Sequence, residues 1–438
     1  MEPIVQRVLA SESPKRDTLG DLYRVLPPTP VKIGQLAAAA EQAKSMPQVH
    51  LLNAQFIRRE LSARRAYGLS MLLRAEEEGG AGLKALMSQP QFQELKLAYW
   101  GRLRMMLEHP QIRTGEDEAD FYTRMRTDFF AEEGETRLAA GQALGALRDE
   151  RGERGDDDGS EEVEISAFLD SFFSQRVGLR FLVEHYLASK QPRAGFAGVI
   201  QMECSPVVLM EELGERTSHS MHEMFGASPP IVIHGCKAQT FSFVPSHIEF
   251  VVGELLRNAA KATVKHHLQS DGGRLTNLPP VTVVMAESPE QITIKVADTG
   301  GGIPRSQVSH PSHPCRTISE QPALMLLLCM HAPCVCAVCA RVLTPTARLP
   351  RLCAQLRNVW SYRGKTAKRW GQGVGLGLPL ARLYAKYFGG NLQAVPMEGH
   401  GTDCYVRVRT LPPAHSNVIA APGRASGDTE RLHARDGW

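Results

Sequence analysis

The spacing of apolar residues changes character once along the chain, near Gly195. Before it, from residue 31 to about 190, apolar positions recur at intervals of three and four, the period of helices that pack through one face. Residues 92–107 and 121–130 show this period. It is clearest over 163–187, where Ile165, Phe168, Leu169, Phe172, Phe173, Val177, Phe181 and Leu182 make one stripe. Ser160 is read as the N-cap of that helix, with Glu161 and Glu162 at its positive end. The charged run DERGERGDDDG (149–159) is read as a solvated loop. Long helices with short links predict a helical bundle over 31–192.

Beyond Gly195 the period shortens. Residues 282–286 and 292–297 alternate apolar and polar across a turn at 287–290, which predicts a β-hairpin, and 404–409 alternates again. Helical spacing returns over 251–263 and over 378–388, the latter stopped by Gly389 and Gly390. Strands mixed with helices predict an α/β sandwich over 193–412, so the chain as a whole is α+β. Residues 1–30 are expected to be disordered or to serve targeting, and 413–438 to form a flexible tail.

With 438 residues the chain can hold two or three domains. A net charge of +3, without a basic stripe interleaved with aromatics, argues against nucleic acid as a partner. No run approaches the ~20 apolar residues of a membrane span. Six of the nine cysteines crowd into 315–353, a pattern unlike a secreted disulfide framework.

The candidate chemistry begins with VVGELLRNAAKAT (251–263). As a helix it sets Glu254, Asn258 and Lys261 on one face, beside an apolar stripe of Ile248, Val251, Val252, Leu255, Ala259 and Ala262. By itself this is also what an amphipathic helix with a solvated face looks like. Downstream stand DTGGG (298–302), GQGVGLGLP (371–379) and GHGTD (399–403). A buried carboxylate at Asp298 can accept a hydrogen bond from an exocyclic amine, and Gly300 and Gly302 let backbone approach a flat base. An ordinary turn has the same composition. Gly373, Gly375 and Gly377, leading into a helix, offer N–H groups to a phosphate chain at a positive helix end. A dinucleotide fingerprint also uses spaced glycines, but it wants a strand directly before them, and residues 360–370 are polar and basic. Asn258 supplies an oxygen suited to Mg²⁺, and Glu254 could polarise a hydroxyl for attack on a phosphate.

In this order the elements resemble the ATP-binding fold of histidine kinases, gyrase B, MutL and the large heat-shock ATPase chaperones. The resemblance is nearest to the mitochondrial 2-oxo-acid dehydrogenase kinases, those acting on the pyruvate and branched-chain complexes. FLDSFFSQRVGLRFLVEHYL (168–187), VPSHIEFVVGELLRNAAKAT (244–263), ITIKVADTGGGIPRS (292–306), GLGLPLARLYAKYFGGNLQ (375–393) and MEGHGTDCYVRV (397–408) carry it. It implies Glu254 as general base, Asn258 as Mg²⁺ ligand and Asp298 as the acid that reads adenine. Gly300 and Gly302 would lie beside the base, Gly373, Gly375 and Gly377 in the phosphate loop, and the Thr402 hydroxyl near adenine. Lys261 stands where the family usually has Arg, keeping the charge without the fork. The resemblance further implies a homodimer of the mitochondrial matrix. Its bundle would dock the lipoyl domain of an acyltransferase core. Its ATP-binding domain would use ATP and Mg²⁺ to phosphorylate a serine of the dehydrogenase alpha subunit and switch the complex off. The pyruvate complex is favoured over the branched-chain one on RLYAKYFGG and MEGHGTD.

Residues 309–357 resemble nothing in that family and are read as translated intron sequence or a mispredicted exon. A zinc site at Cys329, His331, Cys334, Cys336 and Cys339, or a lid insertion that binds a partner, are the other readings. The run VWSYRGKTAKRW (359–370) resembles a short version of the family's lid over ATP. His222, in SMHEMF, resembles a phospho-acceptor histidine, which would make the chain a sensor kinase; the alternative is a helix-surface histidine. A nucleotide-binding protein without catalysis is the remaining possibility.

Overall fold

The computed structural model describes residues 2–151, 159–235, 240–270, 275, 277–288, 291–303, 360, 362, 375–409 and 418–419. In chain order the first elements are α1 (Glu2–Leu9), α2 (Arg16–Val25), β1 (Val31–Lys32), α3 (Ile33–Ala43), α4 (Pro47–Glu78), α5 (Ala81–Met87), α6 (Pro90–Glu108), α7 (Gly115–Arg151) and α8 (Gly159–Ser189). Prolines at the first turns of α4 and α6 fit there because those N–H groups have no partner within the helix. The bundle closes around Leu69, Leu72, Phe92, Tyr99, Leu103, Leu169 and Phe172, contributed by α4, α6 and α8.

The disorder expected for 1–30 is not what the structure holds. Helices α1 and α2 pack on each other and on the bundle, α2 along α4 and α1 along α6. Val8, Leu19 and Leu22 are buried, so an amphipathic face shorter than three turns finds its partner in α4 and α6 rather than in itself. Ser160, expected as an N-cap, already lies inside α8, which begins at Gly159. Residues 149–151 continue α7, so that part of the expected loop is helix, while 152–158 lie outside the described residues.

The second half comprises β2 (Phe196–Ala197), β3 (Ile200–Cys204), α9 (Pro206–Phe225), β4 (Ile231–His234), β5 (Phe241–Phe243), α10 (Pro245–Ser270), β6 (Val281–Glu287), β7 (Gln291–Ala297), α11 (Gly377–Tyr387), β8 (Asn391–Met397) and β9 (Gly401–Arg409). A two-residue strand, β10 (Val418–Ile419), pairs with β1. Five strands form one sheet in the order β4-β6-β7-β9-β8. Only β4 and β6 run parallel; the predicted hairpin is β6 and β7, with Met285 opposite Ile294. A largely antiparallel sheet excludes the doubly wound parallel architecture that a dinucleotide fingerprint requires.

Alternation along the strands explains the layering. Val281, Val283 and Met285 of β6, Ile292, Ile294 and Val296 of β7, and Val406 and Val408 of β9 point to one core. Helices α9, α10 and α11 cover that face, and α11 also packs on α8 of the bundle. A small sheet, β2-β3-β5, lies beside them. The helical bundle followed by a mixed sandwich is the expected α+β arrangement. Among the described residues, no helix is long and apolar enough to cross a membrane.

Candidate functional site

Helix α10 organises the site because its two faces do different work. Val251, Val252, Leu255, Leu256, Ala259 and Ala260 are buried against the sheet and its neighbours. On the other side Asn258 is exposed, and Glu254 and Lys261 are half-buried. Two glycine-rich turns close on that side from opposite ends.

At the N-terminal end stands Gly377, the first residue of α11. A β-carbon there would lie 2.5 Å from Glu254 Oε2, so a side chain at 377 would displace the carboxylate from the start of the helix. Gly375 adopts a φ of +70°, a left-handed turn into the same helix. Gly373 and the basic run 363–370 lie outside the described residues, as do the insertion at 309–357 and its cysteines. Among the described residues no metal-binding cluster of His, Cys, Asp or Glu is found.

At the other end Gly300 meets Ala262 and Thr263, and Gly301 meets the His266 ring. Asp298, just past the end of β7, is almost fully buried. The amides of Gly300 and Thr402 both donate to its Oδ1, at 2.9 and 3.2 Å. The Asp298 amide in turn donates to the Thr402 carbonyl at 3.1 Å. Burial pushes the Asp298 carboxyl above the ordinary aspartate range, while the two amides draw it back down. Both amides converge on one oxygen, which leaves Oδ2 to accept from an amine. Next to it, Thr299 Oγ1 is buried without a hydrogen-bond partner among the described residues. An orphaned buried hydroxyl of this kind is costly unless a ligand or water completes it.

The two turns are separated along α10 by the eight residues from Glu254 to Ala262, about 12 Å at the helical rise. A carboxylate and an amide thus stand at one end of a trough, with backbone N–H groups at a helix start. At the other end, beside Lys261, lie a buried acid and an unpaired hydroxyl. This donor set fits a nucleotide. Asn258 supplies one neutral oxygen, so a Mg²⁺ ion there would take most of its other ligands from phosphates and water.

Of the residues singled out in the sequence, the structure sets Gly377 against Glu254 and joins Asp298 to Gly300 and Thr402 by hydrogen bonds, while Asn258 and Lys261 follow Glu254 along α10. Thr402 takes part through its backbone bonds to Asp298. Gly302, at φ +69°, backs onto the Met397 carbonyl. Two neighbours escaped the sequence reading. Thr299 gives no signal beyond its place in DTGGG. Arg257 donates through Nη2 to Glu254 Oε1 at 2.5 Å, and its i,i+3 spacing was the available clue. His222 is an exposed residue of α9, within its last turn.

Comparison with known proteins gives two regional matches. Residues 243–414 match the family described as histidine kinase-, DNA gyrase B- and HSP90-like ATPase. Residues 30–201 match the family described as mitochondrial branched-chain alpha-ketoacid dehydrogenase kinase. Among curated relatives, a mitochondrial pyruvate dehydrogenase (acetyl-transferring) kinase of Arabidopsis thaliana is 29% identical over 367 residues, 82% of this chain and 85% of that protein. The Schizosaccharomyces pombe protein of the same name is 32% identical over 252 residues, 56% of this chain and 51% of its own length. The Drosophila melanogaster counterpart is 26% identical over 280 residues, 61% of this chain and 58% of that one. The match therefore spans little more than half of the yeast and fly relatives.

Proposed function

We infer the activity of this chain from the family it belongs to, the mitochondrial 2-oxo-acid dehydrogenase kinases with their histidine kinase- and gyrase B-like ATPase domain: it is an ATP-dependent protein serine kinase that inactivates a 2-oxo-acid dehydrogenase complex. The pyruvate complex is the preferred substrate, because the curated relatives carry that name. The branched-chain complex is the second reading, favoured by the family matched over 30–201. Phosphorylation assays with each purified complex decide between them. By the same family reasoning the chain works in the mitochondrial matrix as a homodimer, its bundle docked on a lipoyl domain.

The observation that carries the reading is the trough along α10, which sets Glu254 beside the start of α11 and Asp298 about 12 Å away. In that trough Asp298 Oδ2 accepts from the adenine amine, Lys261 sits between the two ends, and the N–H groups leading into α11 receive phosphate oxygens. Mg²⁺ held by Asn258 and phosphate oxygens would neutralise charge on the triphosphate. Glu254 accepts the proton of the serine hydroxyl as that oxygen bonds to the γ-phosphorus and the bond to the β-phosphate oxygen breaks, releasing ADP. In Glu254→Gln, phosphate transfer to the dehydrogenase should fall by about 10²–10⁴-fold while ATP binding stays intact. Full activity in that variant would remove Glu254 from its role.

A further inference from the structure

The start of α11 is held by something other than a cap. Its N-cap residue, Leu376, makes no side-chain hydrogen bond, so the N–H groups of the first turn are left without that partner, as a phosphate site requires. Leu376 and Leu380 are instead 3% and 2% exposed, in one buried cluster with Ile165, Leu169 and Phe173 of α8. Tyr362, itself 2% exposed, joins the same cluster from outside both helices. Between residues 304 and 374 the described residues are Trp360 and Tyr362. Both are held by other elements of the fold.

Tyr362 reaches α8 in two ways. Its ring stacks on Phe173, with centroids 6.1 Å apart and planes 20° from parallel. Its hydroxyl donates to Asp170 Oδ1 at 2.7 Å. Trp360 reaches α11, where the Arg382 guanidinium lies over its ring, 5.0 Å from the centroid. Asp170 faces α11 as well: burial lowers the pKa of Arg382, and the Asp170 charge draws it back up. Two aromatic residues two positions apart thus tie α8 to α11. Among these ties the hydroxyl on the carboxylate is the directional one, fixing a distance and an angle where apolar packing fixes neither.

We propose that Tyr362 is a positioning residue for the nucleotide: its bond to Asp170 sets the start of α11, and with it Gly377 and the N–H groups that receive phosphate, at the place where they meet Glu254. Without that bond the apolar cluster still forms, but the helix start is in register for a smaller fraction of the time. The apparent affinity for ATP falls by that fraction. Asp170 acts through Tyr362 and shares its role. The proposal rests on the nucleotide reading of the trough above, and its test separates the two.

The experiment is calorimetric titration of the full-length chain with Mg-ATP, beside thermal melts, for Tyr362→Phe, Asp170→Ala, Asp170→Asn and the double variant Tyr362→Phe/Asp170→Ala. Tyr362→Phe keeps the ring on Phe173 and removes one oxygen, so the Kd for ATP should rise about tenfold while the chain stays folded. Asp170 is an exposed residue of α8, so its replacement leaves the core intact. Asp170→Ala should raise the Kd by the same factor, and the double variant by no more than either single change, since both remove one bond. Asp170→Asn keeps an acceptor oxygen without the charge and should stay within about twofold of wild type. A merely structural role would lower melting temperatures and leave the Kd alone. Tyr362→Phe with a wild-type Kd, additive losses in the double variant, or Asp170→Asn as weak as Asp170→Ala overturns the proposal. If Tyr362→Phe does not fold, the two Asp170 variants decide. A wild-type chain that takes up no Mg-ATP would instead sink the nucleotide reading of the trough.

Discussion

Helix α4 carries Glu60 and Arg64, and helix α10 carries Glu254 and Arg257, each pair about one helical turn apart. In α4 both side chains are only 1% exposed. Arg64 Nε donates to Glu60 at 3.0 Å, Arg64 Nη2 donates to the Thr29 carbonyl at 2.9 Å, and Glu60 accepts from the Thr29 amide at 2.9 Å. Arg59 adds a further bond to Glu60 at 2.9 Å. Glu60 and Arg64 are thus surrounded by partners in a dry interior, and their alternatives are all worse. The α10 pair shares one short contact, and both of its side chains are partly exposed. The same chemistry is thus enclosed in one helix and open to water in the other; what differs is how many partners surround it and whether water reaches it.

The comparison can be broken most forcefully at Arg64. Replacing it with Ala leaves Glu60 buried beside a single remaining cation, and unfolding in urea should show a loss of about 3–5 kcal/mol. A variant within experimental error of wild type would mean that the buried joint holds nothing. Next in size is Gly377→Ala. Its methyl group would intrude on Glu254 Oε2, and a misplacement of this order should lower kcat by about 10²-fold with the melting temperature nearly unchanged. Equal kcat would show that Glu254 has room to spare.

The smallest effect concerns the seam between the halves. His247, at the start of α10, sits among Phe181, Tyr384 and Phe388 with neither ring nitrogen hydrogen-bonded among the described residues. Burial drives its pKa down to about 3, and that of His185 on α8 to about 4. Both are neutral in the folded chain, whereas the unfolded chain takes up protons below the ordinary histidine value of 6.5. Stability should therefore fall as pH drops from about 6.5 toward 4, and His247→Phe should flatten part of that slope in thermal melts. A variant with an unchanged slope would assign the acid sensitivity to other groups.

Much of this architecture can be read from periodicity, because α8, α10, α11 and the β6–β7 hairpin each bury one regular face. Proximity along α10 was equally legible: Glu254, Asn258 and Lys261 share a side by spacing alone. What spacing does not contain is which distant backbone meets that side. That Gly377 reaches Glu254, and that two amides crowd onto one oxygen of Asp298, are tertiary facts with no local signature. The N-terminal helices escaped for the same reason, since Leu19 and Leu22 become core residues only when α4 lies beside them. Ser160 was misplaced because helix ends are set within a residue or two by competing caps.

Gly178 of α8 gives the tight packing at the seam a mechanical meaning. It has no side chain, and the Tyr387 hydroxyl and the Arg64 guanidinium fill the space that one would take. Tyr387 is the last residue of α11, the helix whose first residue abuts Glu254. The eleven residues of α11 therefore run from a seam with no spare room, at Tyr387, to the helix start that abuts the Glu254 carboxylate.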